Sequence, residues 1–227
     1  MIVYGKQTVF YILKKHPQII KQIYLTKELD KKIFKKFMDT GVKIIKPDNK
    51  KAQGLARGGN HQGFLLEIDE YQFADIADVK KGNLVVVLDG LSDVGNIGAI
   101  VRSCYALGVD GVIVSGIKNF NPSPVIRTSS GAMLDMPVAV YENSYDLANE
   151  LKQVGFSLVG ADMDGYDVKD IQRESNQKTA LFLGSEDRGL SNKLKKKLDL
   201  KVSIKMQNNF DSLNVSVAAG ILIYELK

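Results

Sequence analysis

The chain has 227 residues, 44% of them hydrophobic and 25% charged, enough apolar material for one small and one medium domain and too much for wholesale disorder. One cysteine, Cys104, and two histidines distant in sequence, His16 and His61, exclude an intrachain disulfide and argue against a Cys/His metal centre. The most apolar stretch, Val215–Leu226, is too short to span a bilayer and the first residues lack signal-peptide character, so a cytoplasmic protein with no membrane segment is expected.

The net charge of +5 is unevenly spread. Residues 1–68 hold 14 Lys/Arg against 5 Asp/Glu, a net +9, whereas the remainder holds 17 against 21, a net −4. A basic module on a mildly acidic body suits a domain that neutralises phosphates. A solvated lysine-rich face would look the same by charge alone.

The first segment alternates helix and strand. Val9, Phe10, Ile12 and Leu13 share one helical face that ends near His16 and Pro17. Ile19–Leu25 reads as a strand, and Glu28–Asp39 as an amphipathic helix with Ile33, Phe34 and Phe37 inward and Gly41 as its stop. A short strand over Val42–Ile45, a short helix over Asn49–Ala56 capped by Asp48 or Asn49, and a strand over Gly63–Ile68 complete a small α/β domain. Most of its aromatics fall at core spacing, so packing rather than base stacking is expected of them. Residues 69–82 are polar with no strong period and read as a linker.

A second α/β pattern fills residues 83–227. Leu84–Leu88 is a continuous apolar run, the mark of a strand covered on both faces. Further strands are expected at Val112–Val114, Val138–Tyr141, Phe156–Gly160, Ala180–Leu183 and Val202–Met206. Helices are expected near Ile97–Leu107, Tyr145–Val154, Asn192–Leu198 and Val215–Leu226. This alternation predicts a mostly parallel sheet with helices on both sides.

Three segments of that domain carry chemistry. After Leu84–Leu88 the chain leaves the strand through Asp89 and Gly90, and a helix is expected to start at about Asn96 as cap. Arg102 lies off that helix's apolar stripe, beyond the C-terminal end of a strand, where open α/β sheets place ligands. Cys104 lies on the stripe and reads as a small core residue. In the second segment Gly184 and Gly189 have the spacing of a phosphate-binding loop, but Leu190 stands where the phosphate-gripping lysine is needed, which rules out that NTPase motif. What remains is a glycine-lined turn carrying Glu186, open to close approach by a ligand. The third segment runs from a strand through a polar loop into the apolar helix Val215–Leu226. Ser212 or Asn214 caps that helix, or the adjacent amides hold part of a ligand. A helix apolar almost all round is buried or forms a subunit interface.

In order and spacing these segments resemble the three motifs of the SpoU family of RNA 2′-O-ribose methyltransferases, within the SPOUT superfamily. The first is N-I-G-A-I-V-R, Asn96 to Arg102. The second is G-S-E-D-R-G-L, Gly184 to Leu190. The third comprises Ile204 and Met206 followed by S-L-N-V from Ser212. Thr128–Ala132 also looks familial. Gly5–Val9 and His61–Gly63 are similar to the ends of the substrate-binding domain of the ribosomal-RNA members, which resembles a ribosomal protein of the L30e type. Lys205 stands where the family often has proline, and Ser185 and Asp187 replace small residues of the second motif.

The resemblance implies an L30e-like RNA-binding domain over 1–68 and an α/β trefoil-knot catalytic domain over 83–227. It implies S-adenosylmethionine as cofactor and a homodimer built with the final helix. By resemblance Gly184, Ile204 and Leu213, with Gly189, Leu190 and Met206 nearby, contact the cofactor. Arg102 acts on the ribose 2′-hydroxyl, and Asn96, Glu186, Ser212 and Asn214 hold Arg102 and the nucleotide. An arginine stays protonated far above neutral pH, so Arg102 is read more readily as a stabiliser of developing alkoxide, or as a positioning group, than as a base. The substrate the resemblance favours is a guanosine in 23S rRNA. A transfer-RNA guanosine methyltransferase and a non-catalytic ribosome-assembly factor are the competing expectations.

Overall fold

The computed structural model describes residues 1–172, 174, 177–208 and 212–227. They form two compact units, one of residues 1–72 with 121–134, the other of residues 73–120 with 135–227.

The first unit begins with β1 (Ile2–Tyr4), α1 (Lys6–Lys15), a 3₁₀ turn at Pro17–Ile19, β2 (Ile20–Leu25), α2 (Lys31–Met38), β3 (Ile44–Ile45), α3 (Asn49–Leu55) and β4 (Phe64–Ile68). Its sheet runs β1-β4-β2-β3, with β4 antiparallel to β1 and β2, and β3 parallel to β2. Caps set the helix starts. Asp30 accepts from Lys32 N at 2.8 Å, so α2 begins three residues later than the apolar pattern predicts. Asp48, rather than Asn49, caps α3 through Lys51 N at 2.7 Å. The strand expected over 42–45 shrinks to two residues, paired only with Ile23 and Tyr24 at the sheet edge.

Phe10, Phe37 and Phe64 pack together, with ring centroids 5.5 to 6.0 Å apart. Aromatic contacts at that spacing add to simple burial. The rings that carry this core are therefore not free to stack on bases. His61 is buried and accepts from Gly63 N through Nδ1 at 3.1 Å, a turn-forming role.

The second unit starts inside the stretch read as a linker. There α4 (Ile76–Val79) is capped by Asp75, which accepts from Ala77 N at 2.8 Å, and Val79 is buried in the core of the larger sheet. A four-residue helix is too short to show a period, so the pattern missed it. There follow β5 (Leu84–Asp89), α5 (Val94–Leu107) and β6 (Gly111–Ser115). The chain next adds α6 (Pro122–Thr128) and a 3₁₀ turn at Ala132–Leu134 to the first unit, where Ser123 Oγ donates to Ile2 O and Thr8 Oγ1 to Arg127 O. Neither element was anticipated.

The second unit resumes with β7 (Val138–Tyr141), α7 (Ser144–Gln153), β8 (Ser157–Asp167), β9 (Thr179–Gly184), α8 (Asn192–Lys195), β10 (Leu200–Ser203) and α9 (Val215–Leu226). The sheet order is β10-β8-β9-β5-β6-β7, and every neighbouring pair is parallel. Two strands differ from expectation. The polar second half of β8 was not anticipated; it forms because Val202 and Ser203 of β10 pair with Tyr166 and Asp167 after a register shift. Conversely, β10 ends at Ser203, so Ile204 and Met206 lie beyond the strand.

This order fixes where a ligand can bind. From β5 the chain moves outward to β6 and β7, then crosses to the other side, where it lays down β8, comes back in to β9 beside β5 and ends with β10 at the edge. The order reverses between β5 and β9, whose C-terminal ends lie side by side with Asp89 opposite Gly184. Open α/β sheets bind ligands at that reversal. Helix α9 packs against α5 and buries Ala219, Leu222, Ile223 and Leu226, while Val217 and Tyr224 stay exposed.

Candidate active site

The expected cap of α5 is displaced by three residues. Asp93 is the cap, accepting from Asn96 N through Oδ1 at 2.7 Å. Asn96 therefore sits in the first turn, with its side-chain amide left for other partners. Its Nδ2 donates to Glu186 Oε1 at 3.0 Å, and its Oδ1 accepts from Asn214 Nδ2 at 3.0 Å. Asn214 Nδ2 lies 3.1 Å from the same Glu186 oxygen. One residue from each sequence segment thus closes a three-membered hydrogen-bonded ring at the sheet reversal.

Of the two capping candidates, Asn214 rather than Ser212 is the cap, and its side chain has a second task. Its Oδ1 caps α9, accepting from Ser216 N at 2.9 Å and Ser216 Oγ at 2.6 Å, while its amide NH₂ belongs to the ring. The cap fixes the plane of the amide, and the amide plane fixes where the NH₂ points.

The loop after β9 is tighter than a simple ligand-facing turn. Gly189 N donates to Ser185 O at 2.8 Å and the two residues form an isolated bridge. A Cβ on Gly184 would lie 2.2 Å from the carbonyl carbon of Gly189, a contact no side chain can make. Gly189 has φ 60°, in the left-handed region. The close approach at Gly184 is thus made by the loop's own backbone; the sequence reading expected a ligand there. Leu190 is buried and belongs to the core below.

This loop walls a cavity of about 690 Å³ shared with Ala161–Asp164 and with Ser212, Leu213 and Asn214. A second cavity of about 560 Å³ continues past Ile204, Met206 and Leu222, and both are bounded by Ala161, Asp162, Met163, Ser212, Leu213 and Ala218. Cofactor sites have such volumes and such a mix of apolar wall and few polar groups. All six residues assigned to the cofactor by resemblance line one half or the other.

Arg102 does not join them. It is exposed on α5, lines neither half and has no hydrogen-bond or ion-pair partner among the described residues. On an ideal helix it lies about 9 Å along the axis from Asn96 and about 120° around it. Cys104 is fully buried and its thiol is pushed well above the ordinary range by that burial, which makes it inert.

Two carboxylates near the strand ends, Asp89 and Asp162, were given no site role by the sequence. Burial raises the Asp89 carboxyl above the usual carboxylate range, opposed by a hydrogen bond from Ser144. Asp162 lies inside the cavity wall with Lys195 Nζ 2.9 Å from its Oδ2. The signal for Asp162 was a charged residue two positions after the apolar run Leu158–Gly160, where an expected strand end masked it. Among the described residues no group of His, Cys, Asp and Glu is arranged to hold a metal, and no helix is long and apolar enough to cross a membrane.

Residues 83–224 match the SpoU rRNA Methylase family and residues 2–74 match the domain described as RNA 2′-O ribose methyltransferase substrate binding. The chain belongs to the SpoU rRNA methylase family. A protein of Mycolicibacterium vanbaalenii described as an uncharacterized tRNA/rRNA methyltransferase is 35% identical over 196 residues, covering 83% of this chain. This chain in turn spans 62% of that relative's length. The SpoU methyltransferase AviRb of Streptomyces viridochromogenes, solved with AdoMet, is similar over 100% of this chain and 88% of its own, at 26% identity and a TM-score of 0.75. The TrmH/SpoU tRNA modifying enzyme of A. aeolicus covers 66% of this chain and 77% of its own, at 28% identity and a TM-score of 0.55.

Proposed function

We propose that the chain transfers a methyl group from S-adenosylmethionine to a ribose 2′-hydroxyl of RNA, with a guanosine of 23S rRNA as target. The observation that carries this is the Asn96–Glu186–Asn214 ring at the rim of a cavity whose walls suit a nucleoside. Apolar side chains of Leu183, Leu213 and Met206 can flank an adenine, and the 184–190 loop offers backbone groups at its edge. When bound there, the cofactor supplies a methyl group on a sulfonium.

The protein's part is alignment and charge. In-line displacement needs the 2′-oxygen held behind the methyl carbon, and such positioning is worth ~7–11 kcal/mol. The ring holds the Glu186 carboxylate in one orientation, where its remaining acceptor sites can take a donor from the nucleotide. Arg102 supplies a cation for developing alkoxide or for the adjacent phosphate. Because Arg102 faces away from its own chain's ring, it is assigned to the cavity of a second copy, in a homodimer built on the exposed side of α9. Val217 and Tyr224 provide the apolar surface for that contact.

Two features favour ribosomal over transfer RNA. Residues 2–74 match a substrate-binding domain, and the tRNA-modifying neighbour covers only 66% of the chain. The +9 charge of residues 1–68 suits phosphate contact. The test is methyl transfer from labelled cofactor to 23S rRNA and to tRNA, with mapping of 2′-O-methyl marks in cells with and without the protein. Labelling of tRNA alone would overturn the ribosomal assignment, and labelling of neither would overturn the activity.

A further inference from the structure

The Asp162 side chain is only 6% exposed, yet it carries a charge in a largely apolar wall. Lys195 Nζ of α8 lies 2.9 Å from its Oδ2 and Lys201 Nζ of β10 lies 3.7 Å away. Burial alone would raise this carboxyl; the Lys195 ion pair, the Asp164 backbone N–H 3.4 Å from Oδ1 and the Lys201 charge outweigh it and hold the group below the usual carboxylate range. Asp162 is therefore ionised at neutral pH.

A buried ion pair seldom adds net stability, because desolvation consumes most of the Coulombic gain. Here the pair does something a hydrophobic pair could not: it places a cation in the cavity. Of the two ammonium groups beside the carboxylate, only Lys195 lines the cavity; Lys201 lines neither half, and its charge offsets that of Asp162 from outside, leaving Lys195 available to a second anion. Lys195 lines the larger half of the cavity and stays 29% exposed, while its anchor is hidden. An ammonium held in place by a fixed carboxylate loses less conformational entropy on binding than a free lysine does.

We propose that Lys195, held by Asp162, receives the α-carboxylate of the methionine end of S-adenosylmethionine. Lys195 is the binding residue and Asp162 a positioning residue. The inference rests on the cofactor reading given under Proposed function and specifies which end of the molecule lies towards α8. It also separates Lys195 from Arg188, the other cation lining that half, which sits exposed on the loop after β9.

Calorimetric titration of the full-length protein with S-adenosylmethionine and with its decarboxylated analogue tests this. The wild type is expected to prefer the intact cofactor by about tenfold, the size of one partly exposed charge-assisted hydrogen bond. Lys195→Met should remove that preference while leaving affinity for the decarboxylated analogue unchanged, and Arg188→Ala should retain it. Asp162→Asn, which frees Lys195, should reduce the preference several-fold. Equal weakening of both ligands in Lys195→Met would assign the pair to folding and overturn the proposal, as would loss of the preference in Arg188→Ala. Equal affinity of the two ligands for the wild type would sink this inference alone, whereas no binding of either would sink the cofactor reading with it.

Discussion

Replacing Asn214 separates the two tasks of one side chain. Asn214→Ala removes the α9 cap and both NH₂ contacts, whereas Asn214→Asp keeps an oxygen for the cap and removes only the donors. Loss of a helix cap costs ~1 kcal/mol, so the alanine variant should melt lower by about 2–4 °C for a chain of this size. In the aspartate variant a carboxylate replaces an NH₂ that lay 3.1 Å from Glu186 Oε1. At that separation two carboxylates repel by ~1.3 kcal/mol even at the dielectric of water, and an exposed ring justifies that lower bound. The ring opens as the exposed Glu186 side chain turns away into solvent, which relieves the repulsion; methyl transfer to RNA should fall at least tenfold, while the melting temperature, with the cap kept, drops less than in the alanine variant. Thermal melts and single-turnover methylation with labelled cofactor measure the two effects separately. Near-normal methylation by Asn214→Asp, with loss only in Asn214→Ala, would show that the cap is all that matters and that the ring is incidental.

Arg102→Ala should abolish methylation and leave cofactor affinity nearly unchanged, since its assigned task is at the ribose oxygen or the adjacent phosphate and it lines neither half of its own chain's cavity; calorimetry beside turnover checks this. Mixing inactive Arg102→Ala chains with inactive Glu186→Ala chains should restore part of the activity if each cavity uses the other copy's arginine, and no recovery would refute the shared site. Gly184→Ala forces a Cβ against the Gly189 backbone 2.2 Å away, so the loop must move at a cost of ~1–3 kcal/mol, with cofactor binding lost as the second readout. Glu150 is held below the usual carboxylate range by the Lys80 hydrogen bond first and Tyr141 second, against burial. Its contribution to stability is present above the unfolded value of about 4.3 and is lost as pH falls through the lower folded value. The melting-temperature gap between wild type and Glu150→Gln should therefore close below about pH 4, and a gap that widens in acid would reverse the assigned sign.

Continuous apolar runs such as Leu84–Leu88 identified buried parallel strands, and Val215–Leu226 was bounded correctly, because both depend on local composition. What escaped depends on partners distant in the chain. The extension of β8 to Asp167 needs β10 beside it, and α4 is a single turn held by Asp75 and by the burial of Val79. The residues of the ring were legible as motif members, but their mutual contact was not. Asn96 and Glu186 are 90 positions apart, and only the adjacency of β5 and β9 joins them.

The cap of α5 shows why local reading was right about the residue and wrong about its task. Asparagine at the start of a helix is ordinarily explained by capping, and that explanation would have closed the question at Asn96. With Asp93 already capping, the amide of Asn96 has no local duty, and an asparagine with no local duty in the first turn of a helix needs a distant partner to justify its poor helix propensity. Glu186 and Asn214 are those partners. A preceding Asp that takes over the cap is itself readable from sequence, so a D-x-x-N start after a buried strand marks an asparagine whose amide is available for the site.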